Sequence, residues 1–350
     1  MFNYEYVGNL HIHSIHSDGA KSVPKIAKSA ASAGLDFICI NDHDYKKDSL
    51  NLDEEGFYGD MLVFVGLEIG RRYHHYLAYD LKEMVRSDNL GPQEVIDQVN
   101  MQDGFGFMAH PFEKGMPFSE KSIAYTWNDL SVDGFKGICI WNFSSRWKDR
   151  IKSVFHGILF LIFKRQALKG PSQKTISFWD NLCRHRRAVA IGGSDAHGSV
   201  FRWGPINLIP LSYDFLLTTI NIHVLLNKKR LKDFETAKHD IYEAMKEGRL
   251  FIAYDRLYPA KGFKFYFISN DGSDLIMGEE DLFGPGNLVI ELPSNGEVRL
   301  YKDGVLEKKW RGMEAVHKVT EKGVYRVEVY RRIPFFGWRP WIFSNPIYLR

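Results

Sequence analysis

Along the first 255 residues, short apolar runs alternate with stretches whose apolar positions recur at helical spacing. The runs fall at 6–12, 35–40, 61–68, 73–79, 105–109, 135–141 and 189–191. Amphipathic stretches occupy 23–33, 92–100, 177–187 and 234–246. Ser22 is placed to cap a helix start, and Gly34 and Gly248 are placed to close helix ends. Such alternation predicts α/β architecture with a mostly parallel sheet, open or closed into a barrel.

After about Arg256 the pattern changes to short β-type runs, among them LVIEL, VRLYK, VLEKKW, VYRVEVY and IFSNPIYL. NDG, SNG and KDG separate several of them, and VRLYK-DG-VLEKKW reads as a hairpin. The expected organisation is therefore a barrel-like domain over 1–255 and a small antiparallel, sandwich-like β domain over 256–350.

Composition narrows the class. With 45% hydrophobic and 25% charged residues, the 350-residue chain reads as an ordinary globular protein. A net charge of +3 gives no bulk signature for nucleic acid. Three cysteines, none in a CxxC, argue against a disulfide framework and against thiolate metal binding. The longest apolar stretch, VFHGILFLIF at 154–163, is half of the about 20 residues a membrane-crossing helix needs. The first residues lack the basic region and apolar core of a signal peptide, so the expected location is the cytoplasm.

The chemistry lies in where His, Asp and Glu fall. NLHIHSIHSDG carries His11, His13 and Asp18; INDHD carries His43; VFVGLEIG ends on Glu68. HHYLAY carries His75, MAHPF carries His110, and IGGSDAHG carries Asp195 and His197. Most follow an apolar run directly, at the strand ends where barrels and doubly wound sheets place active sites. His11 and His13, two apart on one strand, point the same way and can share a metal. Nitrogen and carboxylate ligands without thiolates suit Zn, Mn or Fe, with Mg as a further option. Nine ligands exceed one ion and fit two or three, bridged by a carboxylate such as Glu68. A site of that kind clamps attacking and leaving oxygens and generates hydroxide.

Taken together and in this order, HIHSIHSDG, INDHD, GLEIG, HYLAY, AHP and GSDAH resemble the motif set of the PHP (polymerase and histidinol phosphatase) superfamily over roughly residues 5–255. The resemblance implies a distorted seven-stranded β/α barrel and a phosphoesterase or related hydrolase with two or three divalent metals. It implies that His11, His13, Glu68 and Asp195 hold one ion, Glu68, His75 and His110 a second, and Asp18, His43 and His197 a third. The tail, ending in SNPIYL, is similar to the carbaryl-hydrolase-like branch of that superfamily. Three positions depart from the pattern. Asn9 replaces the Asp that orients a ligand histidine, Asn41 replaces a threonine, and Trp141 stands where many relatives carry Glu.

The expected reaction is hydrolysis of a small-molecule phosphoester or nucleotide-type substrate by a metal-bridging hydroxide, with Glu68, Asp195 and His197 in catalytic positions. Two alternatives remain: hydrolysis of a carboxylic or carbamic ester at the same site, and a non-catalytic, metal-stabilised binding module. His16 reads as a rim residue and a candidate proton donor, Asp42 as a partner of a ligand, and Asp44 as a solvated turn residue. Arg202 and Lys114 are candidate phosphate binders. The segment 146–165, basic at both ends and apolar between, reads as a packed helix, with a lid or membrane-surface helix as the functional alternative. RRIPFFGWRPW reads either as an interaction surface or as packing against the barrel. A homo-oligomer is compatible with all of this.

Overall fold

In the computed structural model, the described residues are 4–117, 125–203, 206–227, 229, 233–270, 272 and 274–350. The fold is mixed α/β, with one large sheet of 18 strands and a separate two-stranded pair. The strand Tyr4–Ile12 lies parallel to Phe37–His43, which lies parallel to Met61–Ile69. Tyr76–Tyr79 then runs antiparallel both to Met61–Ile69 and to Phe105–Met108. Phe105–Met108, Gly137–Asn142 and Val189–Gly193 continue in parallel.

The antiparallel strand corrects the expectation of a mostly parallel sheet. Only six residues separate Ile69 from Tyr76. A parallel crossover needs about a dozen, so the chain can only turn back.

Beyond Val189–Gly193 the chain returns to the first strand. Ser194 N and Ala196 N donate to Leu10 O and His11 O at 3.2 and 3.1 Å, and His13 N donates to Ala196 O at 2.9 Å. The backbones approach so closely here that a Cβ on Gly193 would stand 2.5 Å from Leu10 O. The edge of Tyr4–Ile12 away from Phe37–His43 pairs antiparallel with Ile220–Leu226, which pairs in turn with Leu250–Tyr254.

Helices cover this core. Val23–Ser32 follows Ser22, whose side chain makes no capping hydrogen bond, contrary to expectation, and ends before Gly34, which adopts φ +78°. Phe234–Glu247 is capped by the Asp233 carboxylate, which accepts from Thr236 N, and is closed by Gly248 at φ +74°. Tyr242 of this helix packs on Phe64 and Phe105, with ring centroids 5.2 and 5.3 Å away.

The C-terminal strands are antiparallel. Gly286–Lys302 and Val305–Val319 meet at the predicted Asp303-Gly304 turn, where both residues have positive φ. Gly337–Ser344 pairs with Leu250–Tyr254, so these strands extend the same hydrogen-bonded network. Arg326 of Gly323–Ile333 forms a buried two-pronged ion pair with Asp180 at 2.6 and 2.8 Å. Asn345, from SNPIYL, bonds both backbone groups of Ala190 and also Leu250 O. No helix among the described residues is long and apolar enough to cross a membrane.

Candidate metal centre

Glu68, at the end of Met61–Ile69, is buried and has five histidines around its carboxylate. His75 Nδ1 and His110 Nε2 lie 2.7 and 3.3 Å from Oε1. His11 Nε2, His13 Nε2 and His43 Nδ1 lie 3.1, 3.3 and 3.3 Å from Oε2. Asp195 Oδ1 stands 3.5 Å from both His11 and His13, and Asp18 lies within 3.6 Å of His13, His43 and His197. All nine residues singled out from the sequence thus come together.

Their ligand atoms fall into four overlapping sets, each closed within 4.8 Å: His13, Asp18, His43, His197; His11, His110, Asp195; His11, His13, Glu68; and His43, Glu68, His75. His13 joins the set expected from Asp18, His43 and His197. His110 groups with His11 and Asp195, and His75 groups with His43. Glu68 touches both of these histidines, so the difference lies in the partition and not in the membership.

The backbone at three of these positions is unusual. His11, His110 and Asp195 have φ of +61°, +27° and +53°. Non-glycine residues held there store about 1–3 kcal/mol each, which the surrounding structure must offset. His11 sits where the pairing with Phe37–His43 shifts register between Asn9 and Ile12. His11 and His13 therefore reach Glu68 through an irregular strand end and not through the regular pleat expected of them.

The donor set fits divalent cations. Within the cluster, four buried ring nitrogens, His11 Nε2, His13 Nε2, His43 Nδ1 and His75 Nε2, make no hydrogen bond. Orphaned buried nitrogens are costly, and those of His11, His13 and His43 face the Glu68 carboxylate that would share a cation with them. The electrostatics also favour ligand forms. Burial opposes ionisation of Glu68 and Asp195, but the histidines outweigh it and hold both carboxyls well below the usual range. Asp18 is brought down to about 2 by His197, His13 and His43 against its burial. Burial and neighbouring histidines hold His43 low and bring His197 down to about 4. His13 and His110 behave oppositely: their carboxylate neighbours override burial and raise them to about 10 and about 9.

Several side chains that support the ligands were not singled out from the sequence. Glu113 is buried, with Oε2 3.1 Å from His110 Nδ1 and accepting from Ser145 Oγ at 2.6 Å. A carboxylate behind a ligand histidine fixes its tautomer and raises its basicity. Its only sequence signal was its place three residues after His110. Asn142 Nδ2 donates to Asp195 Oδ2 at 3.2 Å. Trp141, the position flagged in the same strand, points away and packs on Phe343 and Tyr254.

Asn9 does not orient a ligand histidine directly. It donates to Ile220 O and Asn221 Oδ1 and accepts from Ser194 Oγ, beside Asp195. Asn41 Oδ1 accepts from His11 N. Asp42 accepts from Ser14 N, Ser14 Oγ and Ser17 Oγ and so holds the loop that carries Asp18. Asp44 is fully buried and binds Gly70 N and Ser87, which corrects its reading as a solvated residue. His74 Nε2 accepts from Asn128 N and Asp129 N, outside the cluster, which leaves His75 as the inward neighbour.

A cavity of about 260 Å³ opens onto the cluster. Asp18, His43, Glu68, His75, His110, Asp195 and His197 face it, with an apolar wall of Tyr45, Met116, Tyr125, Trp147 and Leu211. Among the described residues, Lys148 also lines it. Lys114 is exposed, donates its backbone N–H to Asp149 and does not line the cavity. Arg202 belongs to the strand Phe201–Trp203, and its side chain lies outside the described residues. His16 is turned to Glu54, 2.8 Å away, and does not line the cavity.

No protein-family profile matches the chain, and no curated protein matches it. Similar solved structures include PHP-like metal-dependent phosphoesterases. One is a two-domain protein from Bacteroides vulgatus containing a predicted PHP-like metal-dependent phosphoesterase (15% identity, 97% of this chain and 95% of that one, TM-score 0.46). A second is a metal-dependent phosphoesterase, so assigned, from Bifidobacterium adolescentis (14% identity, 55% and 87%, TM-score 0.34). A third is an amidohydrolase from Chromobacterium violaceum (13% identity, 54% and 87%, TM-score 0.29). Residue roles therefore rest on this chain's own geometry.

Proposed function

We propose that the protein is a metal-dependent phosphoesterase acting on small phosphoesters, with two or three Zn, Mn or Fe ions held by His11, His13, Asp18, His43, Glu68, His75, His110, Asp195 and His197. The observation that carries this reading is the convergence of five histidines on the buried Glu68 carboxylate, with four of their ring nitrogens lacking hydrogen bonds. The return hydrogen bonds from Ser194 and Ala196 to the first strand support reading the strands from Tyr4–Ile12 to Val189–Gly193, seven without the short Gly56–Tyr58, as a distorted barrel around the site.

Divalent cations bound there supply Lewis acidity, neutralising phosphoryl oxygens and making water more acidic. The chain's own residues do the rest. Lys148 offers a cation to a phosphoryl oxygen from the cavity wall. Tyr45, Tyr125 and Trp147 offer faces to an aromatic leaving group, including a nucleobase. Glu113 and Asn142 hold His110 and Asp195 in place.

The test pairs elemental analysis with hydrolysis of an aryl phosphate and of the matching aryl acetate. The expected result is two or more metal equivalents that fall sharply in a His11→Ala, His13→Ala double variant, and phosphate turnover that a chelator abolishes. Acetate turnover without phosphate turnover assigns the site to carboxylic esters instead. Full metal with no turnover of either points to a binding module. Lys148→Met is expected to lower kcat/KM for the phosphate by about ten- to a hundredfold, as loss of a charge-assisted hydrogen bond does. An unchanged kcat/KM removes Lys148 from substrate binding.

A further inference from the structure

Two segments that the metal site does not use come together on one face. The helix Val154–Ile162 buries Phe160 and leaves Phe155, Ile158 and Ile162 exposed, at 67, 50 and 66%. The strands Gly323–Ile333 and Gly337–Ser344 form a hairpin whose tip is Phe335, fully exposed and held at φ +63°. A bulky residue in that conformation is a genuine outlier, and this one directs an uncovered aromatic ring outward. The segments meet where the Phe163 and Phe336 rings pack at a tilt with centroids 5.4 Å apart and where Arg339 Nε donates to Gln166 O at 2.7 Å.

The surround is cationic. Residues 150–169 contain Arg150, Lys152, Lys164, Arg165 and Lys169 and no acid; residues 329–341 contain Arg331, Arg332 and Arg339 and no acid. Lys164, Arg165, Arg331 and Arg339 donate to the backbone carbonyls of Pro210, Leu257, Asn295 and Gln166 and not to carboxylates, so their charge is not cancelled there. Burial first, then the proximity of Arg339 and Arg146, lowers the pKa of Arg150, as expected where like charges crowd.

We propose that this face docks on an anionic phospholipid surface, with Phe155, Ile158, Ile162 and Phe335 entering the headgroup–acyl boundary and the surrounding Arg and Lys residues meeting lipid phosphates. Three arguments favour lipid over a second copy of the chain. A two-fold interface would set the cationic rim against itself. The face is a short helix beside a projecting hairpin tip, and a bilayer accommodates projections that a rigid partner must match with a groove. The helix has nine residues, too few to cross a membrane and enough to lie in its plane. Phe160, on the buried side of the same helix, packs on Trp147 with ring centroids 6.4 Å apart, and Trp147 lines the metal-site cavity. Docking would therefore bring the cavity alongside the lipid surface.

The experiment is co-sedimentation of the full chain with phosphatidylcholine vesicles, with and without phosphatidylglycerol, across a salt series, alongside sedimentation velocity without lipid. The expected result is binding only to the anionic vesicles and weakening with salt. Removing two of the basic charges with Arg331→Gln, Arg332→Gln weakens it by about tenfold or more, at roughly 1 kcal/mol per charge. Phe155→Asp with Ile162→Asp, and separately Phe335→Ser, reduces it with the circular dichroism spectrum unchanged. These residues are exposed, so the substitutions leave the core alone. Binding that is equal on neutral vesicles, or absent from both, overturns the proposal. A solution dimer that Phe155→Asp with Ile162→Asp dissociates also overturns it, and assigns the face to a second copy of the chain.

Discussion

At the scale of single residues, the site is defined by how each ligand's unused atoms are satisfied. Glu113 is the clearest case. It takes one nitrogen of His110 and leaves the other facing Glu68. Glu113→Gln removes the charge that raises that histidine's basicity, and metal affinity is expected to fall by about ten- to a hundredfold, as for other carboxylates behind ligand histidines. Titration with a competing chelator measures it, and unchanged affinity would sever Glu113 from the site. In the sequence only its place three residues after His110 set Glu113 apart from the other acids of the chain. Its role comes from Ser145 and His110 meeting it in a buried place, and Ser145 stands 32 residues away. The ligands themselves were legible because most sit at the end of an apolar run. His16 and Lys114 were equally near in sequence, and their side chains turn elsewhere.

At the scale of elements, the question is what seats the C-terminal strands on the rest of the sheet. Asn345 answers for one junction. Its amide pairs both backbone groups of Ala190 in the strand Val189–Gly193 and also reaches Leu250 O, all within the buried interior. Asn345→Ala leaves those groups without partners, which costs about 1–3 kcal/mol for each buried group left unsatisfied. Urea unfolding should show a lower midpoint with an unchanged slope; an unchanged midpoint would mean that water replaces the amide. The Asp303-Gly304 hairpin and the Gly248 helix end were legible because turn and cap chemistry is decided within a few residues. The antiparallel run of Tyr76–Tyr79 was not, because direction depends on connection length and on which neighbour the strand finds.

At the scale of the whole molecule, charge far from the metal centre also couples to stability. His223 is buried between Glu5 and Asp255, at 2.6 and 3.0 Å. Burial lowers its pKa, but Asp255 and Glu5 outweigh burial and raise it to about 9. The folded value exceeds the unfolded one of about 6.5, so the folded state binds the proton more tightly. The stabilisation is complete below about pH 6.5 and is lost as pH rises through about 9. The stability difference between the native protein and His223→Asn should be largest at pH 6 and shrink by pH 9.5 in denaturant titrations. A difference that does not change with pH would mean that His223 is neutral in the fold.

What the sequence determined by itself is local in character: the strand-end ligands, the helix ends at Gly34 and Gly248, the Asp303-Gly304 hairpin, and two basic–aromatic segments. Each is written in the spacing of residues a few positions apart, where backbone geometry alone sets which side chains are neighbours. The tertiary structure decided what required distant segments to meet. It drew five histidines onto Glu68 and gave His11 and Asp195 left-handed backbones where the last strand returns to the first. It chose Asn142 over Trp141 as Asp195's partner, and it brought Phe163 against Phe336. Those outcomes depend on how a closely packed interior fits together, and packing depends on the shape of every neighbour at once.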